Sequence, residues 1–319
     1  MHPDRLVESV PNFSEGRRSG VVDEIVGAFA GAHPDVLVLD RSSDPDHNRS
    51  VLTLAGSGEA LLEAAVAGAA ACARLIDLRG QRGAHPRMGA LDVLPFVPLG
   101  RVTAAECVVL AEVAGRRLAE EVGVPVYLYG AAARRRGRVG LPEVRGGGFE
   151  ELLRTAAVDP ARAPDFGGPA PHPTAGATAV GVRPFLIAFN VDLATGDLAL
   201  ARRIAAAVRE RGGGLPAVRA LGFALPGRGL VQVSMNLLDF RVTPPAVAFA
   251  AVAGLAERAG VRVAGAELVG LAPEAAFEGV DPVSLGLLDF SPERLVEERV
   301  RKALAGRGMA GRGMAGGGW

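Results

Sequence analysis

The chain has 319 residues, 49% of them hydrophobic, which is too apolar for a disordered protein and long enough for about two domains. Its 35 basic and 35 acidic side chains cancel, so no global field draws it to nucleic acid or an anionic membrane. Two cysteines, Cys72 and Cys107, in alanine- and valine-rich stretches exclude a disulfide framework, and the opening MHPDRLVE lacks the apolar run of a secretory signal, so a cytoplasmic location is expected.

In chain order, Leu6 to Val10 reads as a strand running into the turn-rich PNFSEG, and Gly20 to Gly31 carries Val22, Ile25, Val26 and Phe29 at helical spacing. Val36 to Asp40 is a buried strand, DPDHNR a polar loop, and SVLTLAG a further strand ending at Gly56. A helix follows over Glu59 to Asp77, where Glu63 and Arg74 interrupt the longest apolar window and argue against a membrane span. LDVLPFVP reads as a strand that Pro95 confines to an edge or a bulge. Thr103 and Glu106 form a capping box for a helix to about Val122, and Val124 to Tyr129 is the next strand.

Segment 131–182, with an arginine run and many glycines and prolines, reads as the linker region between domains. Beyond it, Phe185 to Leu193 is a strand and Leu198 to Arg211 an amphipathic helix. GLVQVSMNLLD is a strand region, Thr243 caps a helix with Pro244 at its first position, and AELVGLAP is a last strand before a helix opening at Ser291. Both halves open with a strand ending in asparagine, Asn12 and Asn190, which suggests a weak duplication. The pattern predicts an α+β fold of two similar subdomains, 4–181 and 182–303, each a mixed β-sheet with helices on its outer face in a ferredoxin-like arrangement. Residues 304–319 read as a disordered glycine-rich tail.

His85, in RGAHPRMGALDV, stands out among five histidines. Arg82, Arg87 and Asp92 surround it, Pro86 fixes the backbone, and Gly83 and Gly89 admit close approach, which suits a general base in a binding loop and equally a structural helix cap. Asp44, Asp46 and His47 can join His85 around a metal, but acids in a loop more commonly cap turns, so no metal is expected. No GxGxxG follows a first strand and no GxxxxGK[ST] occurs, which leaves dinucleotide and P-loop chemistry without a mechanism.

VPNFSEG (Val10 to Gly16), DHNRSV (Asp46 to Val51), GAHPRMGALDVLPFVP (Gly83 to Pro98), VPVYLYG (Val124 to Gly130), the DFG at 165–167, GATAVGVRPFLIAFNVDL (Gly176 to Leu193), VSMNLLDF (Val233 to Phe240) and DFSPERLVEE resemble, in order, the motifs of the formiminotransferase family. The resemblance implies transfer of the formimino group of N-formimino-L-glutamate to N5 of tetrahydrofolate in histidine degradation, with His85 as general base and acid. It implies two subdomains with a ligand channel between them, a homodimer, and tetrahydrofolate as co-substrate. A cyclodeaminase, fused in some relatives, would be a separate polypeptide here.

On that resemblance the folate stretch maps to Gly167, Gly168, Pro169, Ala170, Pro171, His172, Pro173, Thr174, Ala175 and Gly176, where related proteins carry bulkier residues. Arg49, Arg87 and Arg183 are candidates for ligand carboxylates, Asn12, Asn48, Asn190 and Asn236 for the pterin or amidine, Asp40 for orienting His85, and Asp92 for ligand binding. The run Arg134, Arg135, Arg136, Arg138 and Arg145 reads either as an attractor for a folate polyglutamate tail or as a solvated loop. Another donor, formiminoglycine or formylglutamate, and a folate-binding protein without turnover are the alternatives.

Overall fold

The computed structural model describes residues 5–313. Contacts divide the chain into two units, one through Arg183 and one from Pro184.

In the first unit, β1 (Val7–Ser9) and β2 (Asn12–Phe13) lead into α1 (Ser19–Gly31), β3 (Leu37–Asp44), β4 (Arg49–Gly56), α2 (Gly58–Leu75) and β5 (Leu91–Pro98). The helices form where apolar residues recur on one side: Val22, Ile25 and Phe29 of α1 are buried, as is an alanine row of α2. Ser57 caps α2 by accepting from the Ala60 amide. α3 (Ala104–Arg117) opens on the expected capping box, in which Thr103 Oγ1 accepts from Glu106 N and the Glu106 carboxylate from Thr103 N. β6 (Val126–Gly130), the short helices α4 (Leu141–Arg145) and α5 (Gly148–Thr155), and β7 (Thr178–Val182) complete the unit.

Its seven-stranded sheet runs β3, β4, then β1 and β2 end to end, β5, β7, β6. The β5–β7 and β6–β7 pairs are parallel and the others antiparallel. Helices α1 to α3 cover one face over a core that includes Phe13, Phe29, Leu54, Leu94 and Phe96. On the other face a smaller core of Val93, Tyr127, Tyr129 and Ala179 lies under Val144 and Leu152 of α4 and α5.

Two expectations change here. β5 is central rather than an edge, because the irregularity forced by Pro95 falls on its partner: β1 ends opposite Phe96 and β2 begins opposite Val93, leaving a gap where the proline has no N–H to give. Ser9 Oγ donates to the Pro95 carbonyl at 2.9 Å across it. Segment 131–182 is also no linker. Within it buried Arg138 pairs with Asp165, and its strand β7 inserts between β5 and β6.

The second unit runs β8 (Ile187–Leu193), α6 (Leu198–Val208), β9 (Val218–Leu225), β10 (Leu230–Leu237), α7 (Pro245–Arg258) and β11 (Val263–Val269). Its four-stranded sheet, in order β11, β8, β10, β9, is antiparallel throughout, so this subdomain is not a mixed sheet as expected. Strand β9 escaped the sequence pattern, since glycines and prolines bracket it and only alternate residues, Val218 and Ala220, are buried. Thr243 does not cap α7; its hydroxyl donates to the Pro216 carbonyl, and Pro245 occupies the first turn.

α8 (Val296–Gly313) closes the described chain. It carries helical backbone through residues expected to form the tail; residues 314–319 of that tail lie outside the described residues. Both units share the ferredoxin-like order βαββαβ, to which the first adds α3, β6, α4, α5 and β7.

Candidate active site

Strand alternation decides which side chains share the face opposite α1 to α3. Registers place Glu8 opposite Val97, Asn12 opposite Val93 and Val51, and Asp40 opposite Thr53. Glu8, Asn12, Asp40, Arg49 and, continuing β7, Arg183 therefore line one polar strip. Asp92 joins it through a bulge: Asn12 pairs with Val93 and Phe13 with Leu91, leaving Asp92 as the extra residue.

Asp92 is fully buried. Its Oδ2 accepts from Arg49 at 2.7 Å and Arg145 at 2.6 Å, and its Oδ1 from the amides of Met88 and Gly89 at 2.7 and 3.2 Å. Burial alone would raise its pKa, but the two guanidinium groups and the Met88 amide hold the carboxyl below the usual range. With both oxygens engaged, Asp92 anchors the end of the histidine loop rather than meeting a ligand. Arg49 also donates to Asn12 Oδ1 at 3.0 Å.

His85 Nδ1 lies 2.7 Å from the Pro86 carbonyl, an acceptor only, so Nδ1 carries the proton and the neutral ring keeps its lone pair on Nε2. Burial, then the charge of Arg49, push this imidazole below its ordinary range; Arg145 adds to the effect, while the Pro86 carbonyl and Asp92 oppose it. A neutral imidazole with a free Nε2 is a competent base near neutrality.

Long-range hydrogen bonds hold the loop. Ser14 Oγ donates to the Gly89 carbonyl at 2.7 Å and Ser14 N to that of Ala90 at 2.8 Å, which explains the place of VPNFSEG beside the histidine. Asn48, at φ 49°, donates to the Arg82 carbonyl and accepts from Gly16 N, both at 3.0 Å, so it stitches loops together. A Cβ on Gly83 would sit 2.1 Å from the His47 carbonyl oxygen, and only glycine permits that approach.

Arg87 is committed elsewhere. It forms a two-point pair with Glu150 at 2.9 and 3.2 Å and donates to the Leu78 and Gln81 carbonyls. Arg183 acts by its charge on Glu8 and Tyr129. Burial raises the Glu8 carboxyl to about 7 despite Arg183, and its Oε2 has no hydrogen-bond partner among the described residues.

Within the folate stretch, Gly167 to Ala170 are exposed, whereas His172 and Gly176 close a turn by exchanging backbone bonds at 2.8 and 2.9 Å. That turn is sewn to the histidine loop where Ala90 N donates to Ala175 O and Ala177 N to Met88 O. Asn190 and Asn236 belong to the second unit; Asn190 Nδ2 donates to Glu267 at 3.2 Å, and Asn236 is exposed.

The arginine run does not form a continuous patch. Arg134 pairs with Glu112, Arg135 donates to the Pro160 carbonyl, Arg138 pairs with Asp165 of the DFG, and Arg145 reaches Asp92. Sequence reasoning missed this place of Arg145, which no local pattern signals. Among the described residues no group of three or more His, Cys, Asp or Glu is placed to hold a metal ion.

Residues 6–183 match the model of the formiminotransferase domain, N-terminal subdomain, and residues 188–280 that of the formiminotransferase domain. A glutamate formimidoyltransferase of Thermoplasma acidophilum is 44% identical over 93% of this chain and 98% of its own length, and one of Streptococcus pyogenes is 41% identical over 92% and 98%. A formimidoyltransferase-cyclodeaminase of Sus scrofa is 47% identical over 84% of this chain but 50% of its own length.

Proposed function

Since the chain belongs to the formiminotransferase family, we propose that it moves the formimino group of N-formimino-L-glutamate to N5 of tetrahydrofolate, with His85 as the proton-transfer base. The near end-to-end match to two glutamate formimidoyltransferases carries the reaction. The assignment of His85 rests on its tautomer and surroundings. Tetrahydrofolate is the co-substrate, and histidine degradation is the setting that this donor implies.

N5 of tetrahydrofolate is a secondary amine, and it must lose its proton as it attacks the amidine carbon. Nε2 of His85 takes that proton. The tetrahedral carbon then expels the glutamate nitrogen, which takes up a proton as it leaves, giving 5-formiminotetrahydrofolate and L-glutamate. Burial and then the neighbouring guanidinium charges favour the neutral ring before attack. Asp92 keeps the loop in place, a positioning role exerted through the Met88 and Gly89 amides.

The test is formation of 5-formiminotetrahydrofolate by wild type and by His85→Ala, read as absorbance after conversion to the methenyl form. We expect the variant to lose about 100-fold or more in kcat with folate binding retained. In wild type, kcat/KM should rise with pH along a limb lying below the ordinary imidazole value of about 6.5. Wild-type turnover in His85→Ala removes the histidine from this role, and turnover with formiminoglycine alone removes the donor.

A further inference from the structure

Asp44 and His47 have no part in the scheme above, yet they form a built pair. Asp44 Oδ1 accepts from the amides of Asp46 and His47, both at 2.8 Å, so the turn after β3 folds around its carboxylate. Oδ2 takes Nδ1–H of His47 at 2.9 Å. These bonds, led by that from the His47 amide, hold the Asp44 carboxyl below its usual range. The His47 ring meets that of His85 edge-on, with centroids 6.0 Å apart and planes at 89°.

Hydrogen bonds between the two loops enforce this approach. Ala84 N donates to the Asp46 carbonyl at 3.2 Å, Gln81 Nε2 to the Asn48 carbonyl at 2.9 Å and Asn48 Nδ2 to the Arg82 carbonyl at 3.0 Å. The two rings thus sit on loops sewn together on both sides of His47. Their electrostatic settings differ: guanidinium charges act on His85, whereas His47 shares its site with a carboxylate.

Resting on the reading of His85 as the base, we propose that His47 is the second proton-transfer group of the reaction, the general acid that protonates the departing glutamate nitrogen, with Asp44 holding its ring. After attack the central carbon bears three nitrogens: N5, the glutamate nitrogen and the terminal formimino nitrogen. His85 has taken the N5 proton. The bond from carbon to the glutamate nitrogen breaks with its electron pair passing to that nitrogen, Nε2–H of His47 supplies the proton, and the C=N bond re-forms. The cycle ends with His85 protonated and His47 neutral, and one proton returned through solvent restores both. An acid set against one of three nitrogens also decides which one leaves.

The experiment uses the full chain with donor carrying 15N at the glutamate nitrogen, comparing wild type, His47→Gln, Asp44→Asn and His85→Ala. His47→Gln should lower kcat about 100-fold with KM little changed, raise the 15N isotope effect on kcat/KM as cleavage of that bond becomes limiting, and regain rate with added imidazole. Asp44→Asn removes the charge and leaves one oxygen to serve either the two amides or the ring, and should lower kcat about tenfold with the same isotope signature. A near-normal kcat in His47→Gln, with His85→Ala inactive, overturns this inference and leaves the base intact. A fall in kcat without an isotope change or imidazole rescue also overturns it, by reducing His47 to a structural group. Normal turnover in His85→Ala overturns the base reading itself.

Discussion

The two units share one strand order but reach their last ferredoxin-like strand differently. The first passes from α2 to β5 through residues 76–90, the stretch that carries His85, whereas the second passes from α7 to β11 through 259–262 alone. Each sheet has a face turned from its main helices, and each such face carries a buried aspartate. Asp92 holds two arginines with side chains only 9 and 14% exposed, while Asp192 holds Gln232 and an Arg228 that is 64% exposed. The same scaffold thus supports a dense buried charge network only where a long loop has been added.

Removing the charge at Asp92 should break this contrast most strongly. Asp92→Asn leaves Arg49 and Arg145 together without their anion, and stripping one member from a buried ion network costs about 3–5 kcal/mol. Urea unfolding should show that loss, and turnover should fall with it because the amides of Met88 and Gly89 lose their charged acceptor. Since the folded Asp92 carboxyl is depressed, its contribution is present above its unfolded value and is lost as pH falls through the folded one. A cost below about 1 kcal/mol, the level of an exposed pair, would equate the two units.

Glu8 gives an effect of opposite sign. Its carboxyl rises from 4.5 to about 7 on folding, so the folded chain binds more protons between those values and stability declines as pH rises from about 4.5 to 7. Burial outweighs Arg183, which pulls the other way. Glu8→Gln should therefore stabilise the protein at pH 8 by about 1–3 kcal/mol and flatten that decline. An unchanged pH profile of stability would show that the strip hydrates Glu8 as well as water does.

Much of this architecture was legible because local patterns encode it. The capping box at Thr103, the helical spacing of Val22, Ile25 and Phe29, and strand β5 from Leu91 to Pro98 coincide with their sequence readings. His85 stood out by its arginine- and glycine-rich surroundings. What was not legible depends on partners far along the chain. Pro95 sits in a central strand because of a break in β1 and β2 some 80 residues earlier, and nothing near Arg145 announces Asp92, 53 positions away. Arg49 and Arg87 suited carboxylates in a ligand, and folding supplied Asp92 and Glu150 instead. Local sequence set His47 only between a metal site and a turn, and its edge-on contact with His85 exists only once two loops meet.

The smallest effect tests the second unit. Asp192→Asn keeps an oxygen for the Gln232 amide, which lies 2.9 Å from Oδ1, and loses only the charge opposite Arg228. Exposed partners return little, so a loss of about 1 kcal/mol is expected in urea unfolding, with formimino transfer at the wild-type rate. A loss above about 3 kcal/mol would place this aspartate in a buried network like that of Asp92. The contrast between the units would then lie in the loop before the last strand and no longer in the charges beneath it.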